Sequence, residues 1–228
     1  MSGSSETKTA LILGASRGIG RALALDLKER GWNVIGSVRK LTEIPGVRII
    51  QLDLNDEKSI QAASADFPPI DLLVVSGAIA GTENLLETSS EHLHHYLDTN
   101  VVGPHRAVQA FLPALRRGNK KQIVLISSML GSNEIMFGRD MELFSGPYSI
   151  TKAALNMMAV LLHNYLQKDG FTVIPIHPGW VDTDLGKLAG PGAMPISESV
   201  GGIAGVIEDL TPEKSAKFVN WKGEPMPW

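Results

Sequence analysis

The sequence predicts an α/β fold, with a doubly wound parallel sheet of about seven strands and helices on both faces. Three observations support this prediction. Strand patterns and helix patterns alternate along the whole chain of 228 residues. The strand patterns are short, continuous apolar runs, which is typical of strands buried on both faces of a sheet. No linker composition and no internal repeat interrupts the alternation, so we expect a single domain.

The first strand and the first helix show the two patterns clearly. Residues 9–14 read TALILG, which is a continuous apolar run. Residues 18–30 show helical spacing, with Ile19, Leu23 and Leu27 on the side that would face a core. This pair of segments predicts a βα unit at the start of a parallel sheet.

The remaining elements follow by the same criteria. Apolar runs predict further strands at residues 33–38, 47–54, 71–78, 122–128, 171–179 and 216–221. Helical spacing predicts further helices at residues 57–65, 92–116, 148–169 and 197–210. Asp56 is suited to cap the second helix, and Gly170 is suited to end the fourth. The third helix is expected to be disturbed near the sequence TNVVGP.

The composition excludes several classes of function. Charged residues make up 20% of the chain and the net charge is −3, so there is no basic field for binding nucleic acid. The chain has no cysteine, which excludes disulfides and thiolate zinc sites. His92, His94 and His95 fall on different faces of a helix without a completing carboxylate, so we expect surface histidines and no metal site.

Membrane insertion is also not expected. No apolar run approaches the roughly 20 residues that a membrane-spanning helix needs. The expected protein is cytoplasmic, and its folded domain covers residues 8–228. Residues 1–7 are small and polar, and we predict that they are flexible.

A glycine-rich stretch, LGASRGIGRAL, follows the first predicted strand and opens the first helix. Its glycines are Gly14, Gly18 and Gly20. Glycine allows a tight turn, and it lets backbone N–H groups approach a pyrophosphate at a helix N-terminus. A glycine-rich turn with no ligand is the alternative. The position between a strand and a helix favours a dinucleotide-binding turn.

Further landmarks follow in a fixed order along the chain. They are Asn100 in DTNVVG, Ser128 in VLISSMLG, Tyr148 and Lys152 in YSITK, and Pro178, Gly179 and Thr183 in HPGWVDTD. Together with the glycine turn, this order resembles the single-domain branch of the short-chain dehydrogenase/reductase family, over nearly the whole chain. The resemblance implies a Rossmann-type sheet. The stretch VSGA at residues 75–78 departs from the family's Asn-Asn-Ala-Gly but keeps small residues there.

The resemblance implies an enzyme with a catalytic tetrad. A free tyrosine has a pKa near 10, and a lysine ammonium one helical turn further on should lower the pKa of Tyr148. Tyr148 would then donate a proton to a substrate carbonyl while Ser128 holds the carbonyl oxygen. Lys152 would also bind the nicotinamide ribose, and Asn100 would hold an ordered water near it. The alternative is a surface tyrosine–lysine pair and an ordinary serine at a strand end.

NADP(H) is the expected cofactor. The stretch VIGSVRK at the second strand has no carboxylate to accept from a ribose 2′-hydroxyl, whereas Arg17 and Arg39 could bind a 2′-phosphate. Two solvated surface arginines are the alternative. The predicted cofactor-binding residues are Gly14, Ser16, Arg17, Gly18, Ile19, Gly20, Arg39, Asp53, Leu54, Gly77, Ala78, Asn100, Tyr148, Lys152, Pro178, Gly179, Val181 and Thr183.

The predicted substrate pocket is apolar. Its residues are Met129, Met136, Phe137, Phe144, Trp180 and Leu185. An apolar pocket with one polar end suits a hydrophobic or bulky ketone or aldehyde. Packing of the loop before Tyr148, or a subunit contact, is the alternative role for these side chains.

The end of the chain is similar to that of carbonyl reductases of the sniffer and C-factor type. The main hypothesis is therefore an NADPH-dependent carbonyl reductase. The alternatives are a tailoring enzyme that isomerises or cyclises its substrate, and a nucleotide-binding signalling protein without turnover. A homodimer is expected, because the helical stretches at residues 101–115 and 153–166 carry apolar residues on more than one face.

Overall fold

The computed structural model describes residues 7–139 and 146–228. These residues form one parallel sheet of seven strands in the order β3-β2-β1-β4-β5-β6-β7. The strands are β1 (Thr9–Leu13), β2 (Asn33–Val38), β3 (Arg48–Gln51), β4 (Leu72–Val75), β5 (Gln122–Ile126), β6 (Thr172–His177) and β7 (Val219–Asn220). The predicted doubly wound parallel sheet is confirmed. Most of the stretch predicted to be a flexible N-terminus lies outside the described residues.

Helices cover both faces of the sheet. They are α1 (Gly18–Glu29), α2 (Glu57–Ser64), α3 (Ser90–Leu97), α4 (Gly103–Arg117), α5 (Asn133–Met136), α6 (Pro147–Leu166) and α7 (Ile196–Glu208). One core lies between the sheet and α1 and α7. The second core lies on the opposite face and takes side chains from α2, α4 and α6. Within the described ranges, no helix has both the length and the apolar character needed to cross a bilayer.

The central strands end earlier than the apolar runs predict. β4 ends at Val75 and β5 at Ile126, and the last paired residue of β6 is His177. The small and polar residues that follow leave the hydrogen-bonded ladder at one edge of the sheet. This edge is where open parallel sheets place their ligands.

The predicted disturbance of the third helix is a π-helical segment, Asp98–Val102, between α3 and α4. The N–H of Gly103 donates to the carbonyl of Asp98, which is five residues back. Residue 104 is proline, so the N–H that an α-helix would direct at the carbonyl of Asn100 does not exist. The main-chain carbonyl of Asn100 is therefore released from its usual α-helical partner.

Candidate active site

The edge of the sheet encloses a cavity of about 1010 Å³. Its wall is formed by the glycine turn, by the residues that follow β2, β4, β5 and β6, and by the first turns of α6. The parallel strands thus bring together segments that are far apart in the chain, as expected for an open α/β sheet.

The glycine turn forms one end of the cavity. Gly14 has a φ of +85°, and a Cβ atom there would lie 2.7 Å from the Cα of Gly77. A Cβ at Gly20 would collide with the carbonyl of Gly14. The N–H of Gly14 donates to the hydroxyl of Ser37 at 3.2 Å. Gly14 can lie this close to the residues after β4, and Gly20 this close to Gly14, because both positions are glycine.

The first turn of α1 has the donors that a phosphate needs. No side chain caps this helix, since Arg17 at the N-cap makes no capping hydrogen bond. Gly18, Ile19 and Gly20 all line the cavity. Free N–H groups and the positive end of the helix dipole therefore face the space where a pyrophosphate would bind. A dinucleotide fits this end of the cavity.

Tyr148 and Ser128 meet in the middle of the cavity. The hydroxyl of Tyr148 shares a hydrogen bond with that of Ser128. Both side chains are largely buried, at 6% and 8% exposure, and both line the cavity. A carbonyl oxygen could therefore receive hydrogen bonds from both hydroxyls without competition from bulk water.

Lys152 lies behind Tyr148. Its Nζ donates to the carbonyl of Ile126 at 2.7 Å and lies 5.4 Å from the centre of the Tyr148 ring. Burial lowers the pKa of Lys152 to about 7, because the charged ammonium loses hydration.

The expected lowering of the Tyr148 pKa is not what the structure shows. Burial raises the pKa of Tyr148, although the hydrogen bond to Ser128 opposes this effect. The main cause is burial, because the phenolate would lose hydration, and burial also lowers the pKa of the neighbouring Lys152. Tyr148 is therefore held as a protonated phenol at neutral pH.

Asn100 connects the floor of the cavity to α6. Its side-chain oxygen accepts from the N–H of Ile79 at 2.9 Å, and its amide nitrogen donates to the carbonyl of Ile79 and to the hydroxyl of Thr151. The Thr151 hydroxyl in turn donates to the carbonyl of Tyr148 at 2.7 Å. Asn100 thus fixes the helical turn that carries Tyr148. Both amide hydrogens of Asn100 are used in these bonds. A water near Lys152 would therefore have to hydrogen-bond to a different atom of Asn100.

The turn after β5 lies directly on α6. Ser128 is followed by a 3₁₀ turn, Met129–Gly131. A Cβ on Gly131 would lie 2.5 Å from the main-chain carbon of Lys152, so glycine permits the close approach. Asn156 bonds both the hydroxyl of Ser127 and the carbonyl of Gly131. These contacts hold the Ser128 segment against the helix that carries Tyr148 and Lys152.

The two arginines proposed for the 2′-phosphate are placed differently. Both line the cavity. Arg17 forms an ion pair with Asp184 at 2.6 Å, with both side chains about 70% exposed, so the pair is weak. Arg39 makes no ion pair to any described residue and is exposed. Arg39 is therefore the arginine that is immediately available to an anion.

Only some of the residues predicted to form the substrate pocket line the cavity. Met129, Trp180 and Leu185 line the cavity, whereas Met136 and Phe137 do not. Met136 is half-buried at the end of α5, and Phe137, which follows this helix, is 90% exposed, so neither side chain reaches the cavity wall. Leu130 takes a place in the wall instead. Phe144 lies outside the described residues.

The remaining predicted residues gather at this cavity. Those that line it are Gly14, Ser16, Arg17, Gly18, Ile19, Gly20, Arg39, Asp53, Leu54, Gly77, Ala78, Ser128, Tyr148, Lys152, Pro178, Gly179, Val181 and Thr183. Asn100 stands behind the wall, next to Thr99, which does line it. Sequence reasoning missed Ser37, Thr151, Asn156 and His177. A polar residue inside an apolar run, as at Asn156 and His177, is the signal that could have found two of them.

No group of three or more potential metal ligands occurs in the part of the chain that the structure describes. His92 instead lies beside Glu83, with 3.6 Å between its Nδ1 and a carboxylate oxygen.

The chain is similar to a known protein family and to several known proteins. The family model for short chain dehydrogenases matches residues 8–192. An uncharacterized oxidoreductase of Schizosaccharomyces pombe is 32% identical, over 99% of this chain and 100% of the relative. The C-signal protein of Myxococcus xanthus is 33% identical, over 70% of this chain and 93% of its own length.

Solved structures are similar over almost the whole chain. An NADPH-bound carbonyl reductase from chicken fatty liver has a TM-score of 0.90 and 27% identity, covering 98% of this chain and 95% of that chain. A putative short-chain dehydrogenase/reductase from Burkholderia multivorans, with bound NADP, has a TM-score of 0.82 and 28% identity, covering 98% and 100%. The carbonyl reductase Sniffer of Drosophila melanogaster, at 24% identity and a TM-score of 0.87 with coverage of 98% and 100%, shares the fold.

Proposed function

We propose that this chain, which belongs to the short-chain dehydrogenase/reductase family of oxidoreductases, is an NADPH-dependent carbonyl reductase. The observation that carries the proposal is the buried Tyr148–Ser128 hydroxyl pair, with Lys152 behind it, in a cavity whose other end is the glycine turn. A ketone or aldehyde is reduced to an alcohol. The cytoplasmic location predicted from the composition stays part of the proposal.

NADPH is the cofactor that the site suits. The glycine turn and the N-terminus of α1 would hold the pyrophosphate, Arg39 the 2′-phosphate, and Lys152 the nicotinamide ribose. Two similar solved structures contain NADPH or NADP. When bound, the cofactor supplies the hydride that reduces the carbonyl carbon.

The side chains of this chain supply the proton and the orientation. Ser128 and Tyr148 both hydrogen-bond the substrate oxygen, and Tyr148 donates its phenolic proton to it. Burial raises the pKa of Tyr148, so the phenol is protonated at neutral pH and has a proton to donate. An ordered water near Lys152, which the family resemblance implies, would be held by Asn100, whose main-chain carbonyl lacks its α-helical donor because residue 104 is proline.

The substrate carries an apolar group next to its carbonyl. Leu130, Trp180 and Leu185 line the cavity near Tyr148, and Leu130 and Leu185 pack in one cluster with it. Such a wall favours an apolar group. No comparison supports isomerisation, cyclisation or a role without turnover.

The proposal is tested by following NADPH oxidation with a panel of aldehydes, ketones and quinones. Turnover of at least one apolar member is the expected result. Tight NADPH binding without turnover of any member would contradict a reductase function and would favour one of the alternatives.

Arg39→Ala should selectively weaken NADPH. Loss of a charge-assisted hydrogen bond costs about 1.5–3 kcal/mol, so the dissociation constant of NADPH should rise about 10- to 100-fold. Affinity for NADH, which lacks the phosphate, should stay within about twofold. Titration of both cofactors measures this, with Lys40→Ala as the control because Lys40 is exposed beside Arg39 but does not line the cavity. Equal affinity of the wild type for the two cofactors would contradict this assignment.

We further propose a homodimer that pairs through α6. An apolar stripe on this helix faces solvent, with exposures of 39% for Ile150, 57% for Met157, 47% for Leu161 and 80% for Tyr165. Neither core of the sheet covers these side chains. A second copy would bury the stripe across a two-fold axis.

Light scattering should give twice the chain mass of 24.5 kDa at micromolar concentration. Leu161→Glu should convert the dimer to a monomer, because it places a charge in the interface. Leu41→Glu is the matched control, since Leu41 is 74% exposed and lies outside α6. A wild-type monomer, or a dimer that Leu161→Glu leaves intact, would refute this interface.

A further inference from the structure

One half-buried polar side chain at the cavity has no part in the proposed chemistry. His177 is the last residue of β6 and comes directly before Pro178. Its ring lines the cavity. The Nδ1 atom accepts a hydrogen bond from the main-chain N–H of Met129 at 3.2 Å. Met129 is the residue that follows Ser128, so His177 touches the segment that carries a catalytic hydroxyl.

The hydrogen bonds of the turn after Ser128 show why this contact stands out. Three of its N–H groups find acceptors inside the turn. Gly131 donates to the carbonyl of Ser128, Ser132 to the carbonyl of Met129, and Leu130 to the hydroxyl of Ser128. The N–H of Met129 alone reaches outside the turn, to His177. Every buried backbone donor needs a partner, and here another strand supplies it.

The contact acts on a single peptide unit. The carbonyl of Ser128 and the N–H of Met129 belong to the same planar peptide group. Gly131 holds the carbonyl end at 3.0 Å, and His177 holds the N–H end at 3.2 Å. A planar unit pinned at both ends cannot rotate, which fixes the ψ angle of Ser128. This angle fixes the direction of the Ser128 Cα–Cβ bond relative to the peptide plane, and the N–H of Leu130 holds the hydroxyl oxygen at its end.

The ring is in the state that this contact requires. An accepting Nδ1 carries a lone pair, so the proton of the neutral ring is on Nε2. Burial lowers the pKa of His177 to about 4, because the charged imidazolium would lose hydration. The ring is therefore neutral throughout the neutral pH range. Its acceptor is available whenever the reaction runs.

We propose that His177 is a positioning residue for carbonyl reduction: by holding the Ser128–Met129 peptide plane, it directs the Ser128 hydroxyl at the substrate oxygen. The proposal rests on the reductase function proposed above. His177 touches neither reacting atom and acts only through Ser128. Asn156 holds the same turn from the side of α6, so the segment is fixed from two directions.

The test compares two nearly isosteric replacements. Asparagine places its Oδ1 where histidine has Nδ1, so His177→Asn keeps the acceptor, whereas His177→Leu removes it. His177→Leu should lower kcat about 10- to 100-fold on a carbonyl that the wild type reduces, as expected for a misdirected catalytic group. His177→Asn should stay within about fivefold of wild type. Thr172→Val, a buried polar change at the far end of β6, is the matched control and should leave kcat unchanged.

Testing His177→Leu in the Ser128→Ala enzyme distinguishes a positioning role of His177 from a direct catalytic role and from a purely structural one. In Ser128→Ala enzyme there is no hydroxyl to direct, so adding His177→Leu should cost less than about threefold further. A full additional loss in that background would overturn the proposal, as would equal activities of His177→Asn and His177→Leu. If His177→Leu does not fold, His177→Ala replaces it with the same expectations.

Amide hydrogen exchange of Met129 gives a readout that does not need activity. Protection should be strong in wild type and in His177→Asn, and it should be lost in His177→Leu. Unchanged protection in His177→Leu would overturn the proposal. A different outcome is that the wild type reduces no carbonyl although the Met129 amide is protected. That result would overturn the proposed reductase function, and with it the catalytic role of the hydrogen bond between Met129 and His177.

Discussion

Replacing Tyr148 by phenylalanine is expected to lower carbonyl reduction by at least about 10²- to 10⁴-fold, the range that general acid catalysis contributes. The change removes one hydroxyl and keeps the ring. Tyr148 is the phenol that the buried site holds in its protonated form, beside Ser128. Without it, the developing alkoxide has no acid within reach. The steady-state rate of NADPH oxidation with a substrate of the wild type measures the effect.

Tyr96 offers a matched control for this change. It is also a buried tyrosine, at 3% exposure, and it packs in the same small cluster as Tyr148. Its hydroxyl donates to Glu83 at 2.8 Å and does not face the cavity. Tyr96→Phe should therefore cost stability and leave turnover within a few-fold of wild type. If Tyr148→Phe kept wild-type activity, the proposed mechanism would be wrong.

Lys152→Met is expected to lower reduction by a factor similar to that for Tyr148→Phe, about 10²-fold or more, and also to weaken NADPH. In the proposed mechanism, the Lys152 ammonium group assists Tyr148 and holds the nicotinamide ribose. Because the two residues act as one unit, the double variant should lose little more activity than either single variant. Losses that multiply in the double variant would show that Lys152 acts independently of Tyr148.

Lys152→Met should also stabilise the cofactor-free protein against unfolding. Burial lowers the pKa of Lys152 to about 7, so folding disfavours its charged form. Between about pH 7 and pH 10.5 the unfolded chain binds more protons at this lysine than the folded chain does, and the free energy of unfolding rises with pH. Below about pH 7 the folded protein carries the full cost of a buried ammonium, on the order of a few kcal/mol.

The stability gain of Lys152→Met should therefore be largest near about pH 6 and smaller near about pH 9. Thermal unfolding at both pH values measures it. Lys168→Met is the control, since Lys168 is exposed and should show no such dependence. A gain that is the same at both pH values would mean that Lys152 is not buried in its charged form.

Much of the fold was predictable because it depends on local patterns. Continuous apolar runs mark strands that are covered on both faces, and helical spacing marks one buried side of a helix. These features identified β1 and α1 within one residue at their ends. The ends of β4 and β5 were less predictable, since the residues after them are apolar or small but leave the ladder to form the cavity.

Part of the candidate site was likewise predictable from the sequence, and part was not. The glycine turn and the order of Asn100, Ser128, Tyr148 and Lys152 could be recognised in the sequence, because each belongs to a short motif with a defined place in a βα unit. The tertiary structure alone decided that Arg17 pairs with Asp184 and that Phe137 points outward. It also decided the direction in which burial shifts the pKa of Tyr148, and the partner of His177. These properties depend on burial and on contacts between distant segments, which local sequence does not encode.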